Sequence, residues 1–140
     1  MPTPANTTAM CPVVHFEMPY RNRARAAGFY AAVFGWGCEN LGPEMGDYLL
    51  VTTATQEARP GEPAGAINGG LFPFDASKPG QHPSLVVAVQ DIAAAMLRVA
   101  EAGGQVLGEP MAIPGIGDHV AFIDTEGNRL SMLMPLPRGA

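Results

Sequence analysis

The sequence predicts an α+β fold: two β-α-β-β-β modules whose eight strands make a mixed sheet pair. Three observations carry that prediction. A strand, a helix and a stopping glycine recur in one frame, His15 preceding Gly35 by 20 residues and Ser84 preceding Gly104 by 20. A Gly-Asp pair opens an apolar run in each half, "GDYLLVT" at 46–52 and "GDHVAFI" at 117–123, offset by 71 residues. Between the halves, "FPFDASKPGQHP" is rich in Pro and Gly and has no apolar periodicity, the composition of a linker.

Residues 1–10 carry neither the basic start nor the apolar run of a signal peptide and are expected to form a flexible tail. Two modules, 11–73 and 84–137, joined by a linker at 74–83, are expected to make one domain. "VVHFEMP" at 13–19 alternates as a strand, with Val14, Phe16 and Met18 on one face and Val13, His15 and Glu17 on the other. His15 and Glu17 are two side chains able to bind a metal or move a proton. They share a face about 7 Å apart at Cα, for a rise of roughly 3.3 Å per residue. Next, Ala26, Phe29, Tyr30 and Val33 recur at helical spacing before Gly35 stops the helix. Strands follow at 46–52 and 64–72, the second containing Gly69-Gly70, a pair that reads as a bulge or a close backbone approach by a ligand.

The second module repeats the order. "SLVVAVQ" at 84–90 is β-branched, Asp91 is the expected helix cap, and Ile92, Ala95, Met96 and Val99 form a stripe that ends at Gly103-Gly104. The strands at 117–123 and 129–135 are joined by the turn "DTEGNR", and Met132 and Met134 share the core face with Leu130. If Asp124 and Arg129 flank that turn, Phe122 faces Ser131 and His119 lies on the other face. A slip of one residue reverses the assignment. One helix per module covers one sheet face and leaves the other open for a ligand.

Bulk properties narrow the function. The chain is 47% hydrophobic and 15% charged, a globular composition, and its net charge of −5 argues against nucleic acid as a partner. The basic cluster Arg21, Arg23 and Arg25 is too small for a phosphate-tracking surface, and solvated charges are its simplest reading. No stretch approaches the ~20 apolar residues of a membrane span. Cys11 and Cys38 are too far apart for a C-x-x-C pair and are expected to be reduced, with the cytoplasm as the compartment.

"HFEMP" at 15–19, "RAAGFYAAVFGW" at 25–36, "MGDYLLVTT" at 45–53, "INGGLFP" at 67–73, "EAGGQV" at 101–106 and "IPGIGDHVAFIDTEGNRL" at 113–130 together resemble the vicinal oxygen chelate superfamily. This is the glyoxalase, bleomycin-resistance and extradiol-dioxygenase group, and the chain looks most like its small bacterial glyoxalase-like proteins. The resemblance implies a fold of two βαβββ modules, commonly completed in a homodimer, and a small-molecule ligand. In metal-dependent members like glyoxalase I, the first ligand is a His on the first strand 14 residues before a Phe-Tyr pair, the spacing of His15 to Phe29. The family's second position falls within Asn68, Gly69 and Gly70. The third falls on Ser84 and the fourth on Ser131, where the metal enzymes carry Glu.

A catalytic divalent metal needs about three ligands from His, Cys, Asp or Glu, and a neutral serine hydroxyl brings no charge. The expectation is a glyoxalase-like small-molecule-binding protein without the standard four-ligand metal site and with no cofactor. Its pocket would be lined by His15, Glu17, Ser84, Val86, Phe122 and Ser131, with His15 and Glu17 as the acid/base pair. The alternative is a metal-dependent lyase, isomerase or dioxygenase with a non-standard ligand set drawn from His15, Glu17 and His82. His82, beside Pro83 and after "KPGQ", reads first as a loop residue.

Overall fold

The structure, a computed structural model, describes residues 10–54 and 67–137. The expected tail up to residue 9, the loop at 55–66 and the first residues of the strand expected at 64–72 lie outside the described residues. The described residues form eight strands and two α-helices, the α+β class that was expected. They divide into two compact units, one of residues 14–86 and one of residues 87–137 with 10–13.

In the first unit, β1 (Val13–Tyr20), α1 (Arg23–Phe34), β2 (Gly37–Asn40), β3 (Leu49–Thr52) and β4 (Asn68–Pro73) follow in order. The strands lie side by side as β2-β3-β4-β1, antiparallel except for the parallel pair β4 and β1. Leu49, Val51 and Leu71 are the buried centre, packed against Phe16, Met18 and Tyr20 of β1 and Ala26, Ala27 and Tyr30 of α1. The apolar face of β1 is thus the one its alternation marks, and it puts His15 and Glu17 on the face away from that core.

Helix α1 begins where the Asn22 side chain accepts a hydrogen bond from the Arg25 amide at 2.9 Å, and it ends at Gly35 in the left-handed region, φ 72°. Its buried side differs from the expected stripe. Phe29 and Val33 are 55% and 54% exposed, while Ala26, Ala27 and Tyr30 meet the sheet. The small alanines let the helix approach the strands. Tyr30 stacks on Trp36 at 4.9 Å between ring centroids, which fixes the helix rotation about that pair.

β5 (Ser84–Ala88) spans the boundary between the units, and the second unit continues with α2 (Ile92–Glu101), β6 (Gln105–Ile113), β7 (Gly117–Ile123) and β8 (Arg129–Pro135). β6, β7 and β8 form an antiparallel meander. Val89, Ile92, Ala95, Val120 and Met132 are its buried core, with Met96, Val99, Phe122 and Met134 packed on it. Asp91 caps α2 by accepting from the Ala94 amide at 3.1 Å, as its position before the apolar stripe suggests.

The hairpin register is offset by one residue from the expected one. Ala121, not Phe122, lies opposite Ser131, and His119 lies opposite Leu133. Phe122 therefore belongs to the core face beside Val120, while His119 shares the face of Ser131. The cause is the turn, where Asp124 pairs with Asn128 instead of Arg129: its amide donates to the Asn128 carbonyl at 2.9 Å, and its Oδ1 accepts from the amides of Glu126 and Asn128, both at 2.8 Å. β2 and β6, the strands directly after each helix, had no distinct signal. β2 is only "GCEN", and β6 is broken by a register shift between Leu107 and Met111.

Candidate functional site

β1 and β4 run parallel in a register that sets His15 beside Asn68 and Glu17 beside Gly70. On the neighbouring strand Leu50 lies opposite Gly70, so Tyr48, just before β3, reaches the same face. Its ring crosses Gly70, where any Cβ would fall inside the van der Waals radius of the phenol. On the other face, a Cβ at Gly69 would meet the Phe16 ring at 2.5 Å. The glycine pair is thus neither a bulge nor a place where a ligand meets the backbone. Its register is regular, and each glycine takes an aromatic ring of this chain, one on each side of the sheet.

Tyr48 joins the two predicted acid/base residues. Its hydroxyl lies 2.8 Å from His15 Nε2 and donates to Glu17 Oε2 at 3.1 Å. An ionised carboxylate only accepts, and a phenol has one proton to give. With that proton on Glu17, His15 Nε2 must carry a hydrogen and donate it to Tyr48 Oη, which assigns the lone pair of a neutral ring to Nδ1. Burial, the Glu17 charge and the hydrogen bond to Glu17 all raise the Tyr48 hydroxyl above the ordinary phenol range, so it stays protonated. His15, Tyr48 and Glu17 form a polar chain with one direction of donation.

The other predicted site residues are placed differently. Asn68 Oδ1 accepts from the Thr53 amide at 2.8 Å, so its carboxamide closes the first unit's sheet. Ser84 lines a groove of about 440 Å³ with Phe16, Trp36, Thr53 and Ile67. Val86 is buried at 3% exposure and Ser131 at 6%, and neither offers much surface to a ligand. Phe122 packs into the α2 core instead of facing Ser131, which removes it from the proposed wall. His82 is exposed in the segment between β4 and β5. Tyr48 was not among the residues singled out. A signal was present all the same, because Tyr48 and His119 hold the same place in the "GDY" and "GDH" repeats.

A divalent metal requires about three charged or imidazole donors around one point. Among the described residues, no group of three or more His, Cys, Asp or Glu side chains gathers around a common point. His15 Nε2 and Glu17 Oε2 converge instead on a neutral phenol, a weak ligand that holds a lone pair of Glu17 and the proton of His15. Ser84 and Ser131 add no charge. These residues do not fit the metal site that the resemblance implies.

Known proteins resemble the chain at two levels. The family model of the Glyoxalase/Bleomycin resistance protein/Dioxygenase superfamily matches residues 13–132. "Putative glyoxylase CFP32" of Mycobacterium tuberculosis and its namesake in Mycobacterium bovis are each 39% identical over 113 residues, 81% of this chain and 40% of theirs. The chain thus spans two fifths of the length of those curated relatives. Among solved structures, methylmalonyl-CoA epimerase of Mycobacterium tuberculosis superposes with a TM-score of 0.63 at 17% identity, over 90% of this chain and 89% of that one. A glyoxalase/bleomycin resistance protein/dioxygenase superfamily member from Vibrio splendidus 12B01 gives 0.57 at 14%, over 89% and 99%. At such identities the likeness is one of fold.

Proposed function

The chain belongs to the Glyoxalase/Bleomycin resistance protein/Dioxygenase superfamily, and from that premise we propose that it is a small-molecule-binding protein without the standard four-ligand metal site. The ligand sits on the sheet face of His15, Tyr48 and Glu17. One observation carries this reading: Tyr48 ties the two side chains most able to ligate a metal to its own hydroxyl, at 2.8 and 3.1 Å. Held in this way they are a rigid pair of hydrogen-bonding groups for a polar ligand, oriented before it arrives. On family grounds the assembly is a homodimer, and Cys11 and Cys38, which form no disulfide among the described residues, are in keeping with a cytoplasmic setting. No helix of the described residues is long and apolar enough to cross a membrane.

The same chain of donors supports a second reading, proton transfer without metal. His15 and Glu17 would be the acid/base pair, and Tyr48, hydrogen-bonded to both, would steady the charge that either gains as a proton moves to or from the ligand. The metal-dependent lyase, isomerase or dioxygenase set of His15, Glu17 and His82 gains no support from an exposed His82. The name of the curated relatives is compatible with either reading.

Elemental analysis of protein purified without chelator, followed by thermal melts with and without chelator, tests the first reading. The expected result is well below one metal per chain and an unchanged melting temperature. Near-stoichiometric metal whose removal lowers the melting temperature by several degrees would sink the idea. The second reading is checked by incorporation of solvent deuterium into carbonyl compounds that bind. Exchange lost in His15→Ala, with the compound still bound, would make the protein a catalyst.

A further inference from the structure

We propose that the groove at the start of α1 is a second binding site, for a small organic oxyanion carried on a flat apolar body. Three of the chain's eight Lys and Arg residues fall within positions 21 to 25, in a protein of net charge −5. They crowd the N-terminal end of a helix whose first turn holds no acidic residue. Backbone N–H groups already make that end positive, so cations there repel it and favour an anion.

The three arginines are not equivalent. Arg23 pairs with Asp47 at 3.4 Å and lies outside the groove. Arg21 and Arg25 both line it, and neither has a carboxylate partner among the described residues. Arg21 is also held in place, its guanidinium carbon 4.1 Å from the centre of the Phe74 ring. Guanidiniums suit the oxygens of a carboxylate or phosphate group, and this groove has two arginines in its lining.

The groove is about 440 Å³, a volume suited to a small ligand. Its apolar lining includes Met18, Phe29, Tyr30 and Leu71. Phe29, the helix aromatic that the core does not take up, is half-exposed here with a use. Met18, Tyr30 and Leu71 are on the helix side of the sheet, opposite His15 and Glu17, so this groove is separate from the His15 face.

The fold supplies its own reporter. Tyr30 lines the groove and stacks on Trp36, the single tryptophan, at 4.9 Å and 9°. The experiment titrates the full chain with phenylacetate, phenyl phosphate, the neutral phenylacetamide and inorganic phosphate while following Trp36 fluorescence. The two aromatic anions are expected to saturate the signal, with the neutral amide and inorganic phosphate weaker by about tenfold or more. The double variant Arg21→Ala/Arg25→Ala should lose about tenfold in affinity for both aromatic anions. It removes cations that oppose the helix dipole, so its helix content should be intact, as circular dichroism would verify. Arg23→Ala should bind as the parent does. Equal binding of phenylacetamide or of inorganic phosphate, an unaffected double variant, or an equal loss in Arg23→Ala would overturn the proposal. None of these outcomes bears on the His15 face.

Discussion

Tyr48 is where a single residue changes how its neighbours act. Its hydroxyl joins His15 to Glu17, and Gly70 leaves the space in which its ring lies. Tyr48→Phe keeps the ring and deletes both hydrogen bonds. A loss of about 1–3 kcal/mol is expected, within the range for partly buried bonds to a charged group, and denaturant melts would measure it. The variant should also weaken any ligand of the His15 face, because the two anchors lose their common support. The pH dependence has a definite sign. Tyr48 titrates higher in the folded chain than in the unfolded one, so it favours folding below the ordinary phenol value of about 10 and that contribution fades above it. Alkaline destabilisation should therefore be steeper in the parent than in Tyr48→Phe, which melts at a series of pH values above neutrality would reveal.

At the scale of elements, the two helices share a position in the repeat but are held differently. α2 sinks Ile92 and Ala95 into its core, whereas α1 has no buried residue and rests on alanines and the Tyr30–Trp36 stack. Both depend on their caps. Asp91→Ala deletes the acceptor for the Ala94 amide and should cost about 1 kcal/mol, read as a lower midpoint in urea. The Asn22 cap of α1 came to light only in the structure, whereas the start of α2 was legible because Asp91 is a short polar side chain placed immediately before apolar periodicity. The rotation of α1 was not, because Phe29, Tyr30 and Val33 compete for one stripe and only Trp36, fixed from outside the helix, selects Tyr30. The β7 to β8 register escaped the sequence for a related reason. Asp124 pairs with Asn128 across the turn instead of with Arg129, and that change of one residue moves every facing pair by one.

At the scale of the whole molecule, each unit has a buried centre of its own, Leu49, Val51 and Leu71 in one and Val89, Ile92, Ala95, Val120 and Met132 in the other. Leu71→Ala opens a cavity among rigid strands and should cost about 2–5 kcal/mol. Trp36 packs against that same cluster, so its fluorescence should report the shifted unfolding midpoint directly. The two-module plan was readable from the chain alone, since strand alternation, helix stripes and the 71-residue echo are local or periodic patterns that need no partner to be seen. The face of His15 and Glu17 was readable for the same reason, as it follows from period-two alternation. What those residues touch was not. Tyr48 is 33 residues from His15 and 31 from Glu17, and it meets them only because two parallel strands and an antiparallel neighbour align over Gly70. Alternation along one strand determines a face, whereas a site is made between strands, and the offset between strands is decided by turns and packing throughout the fold.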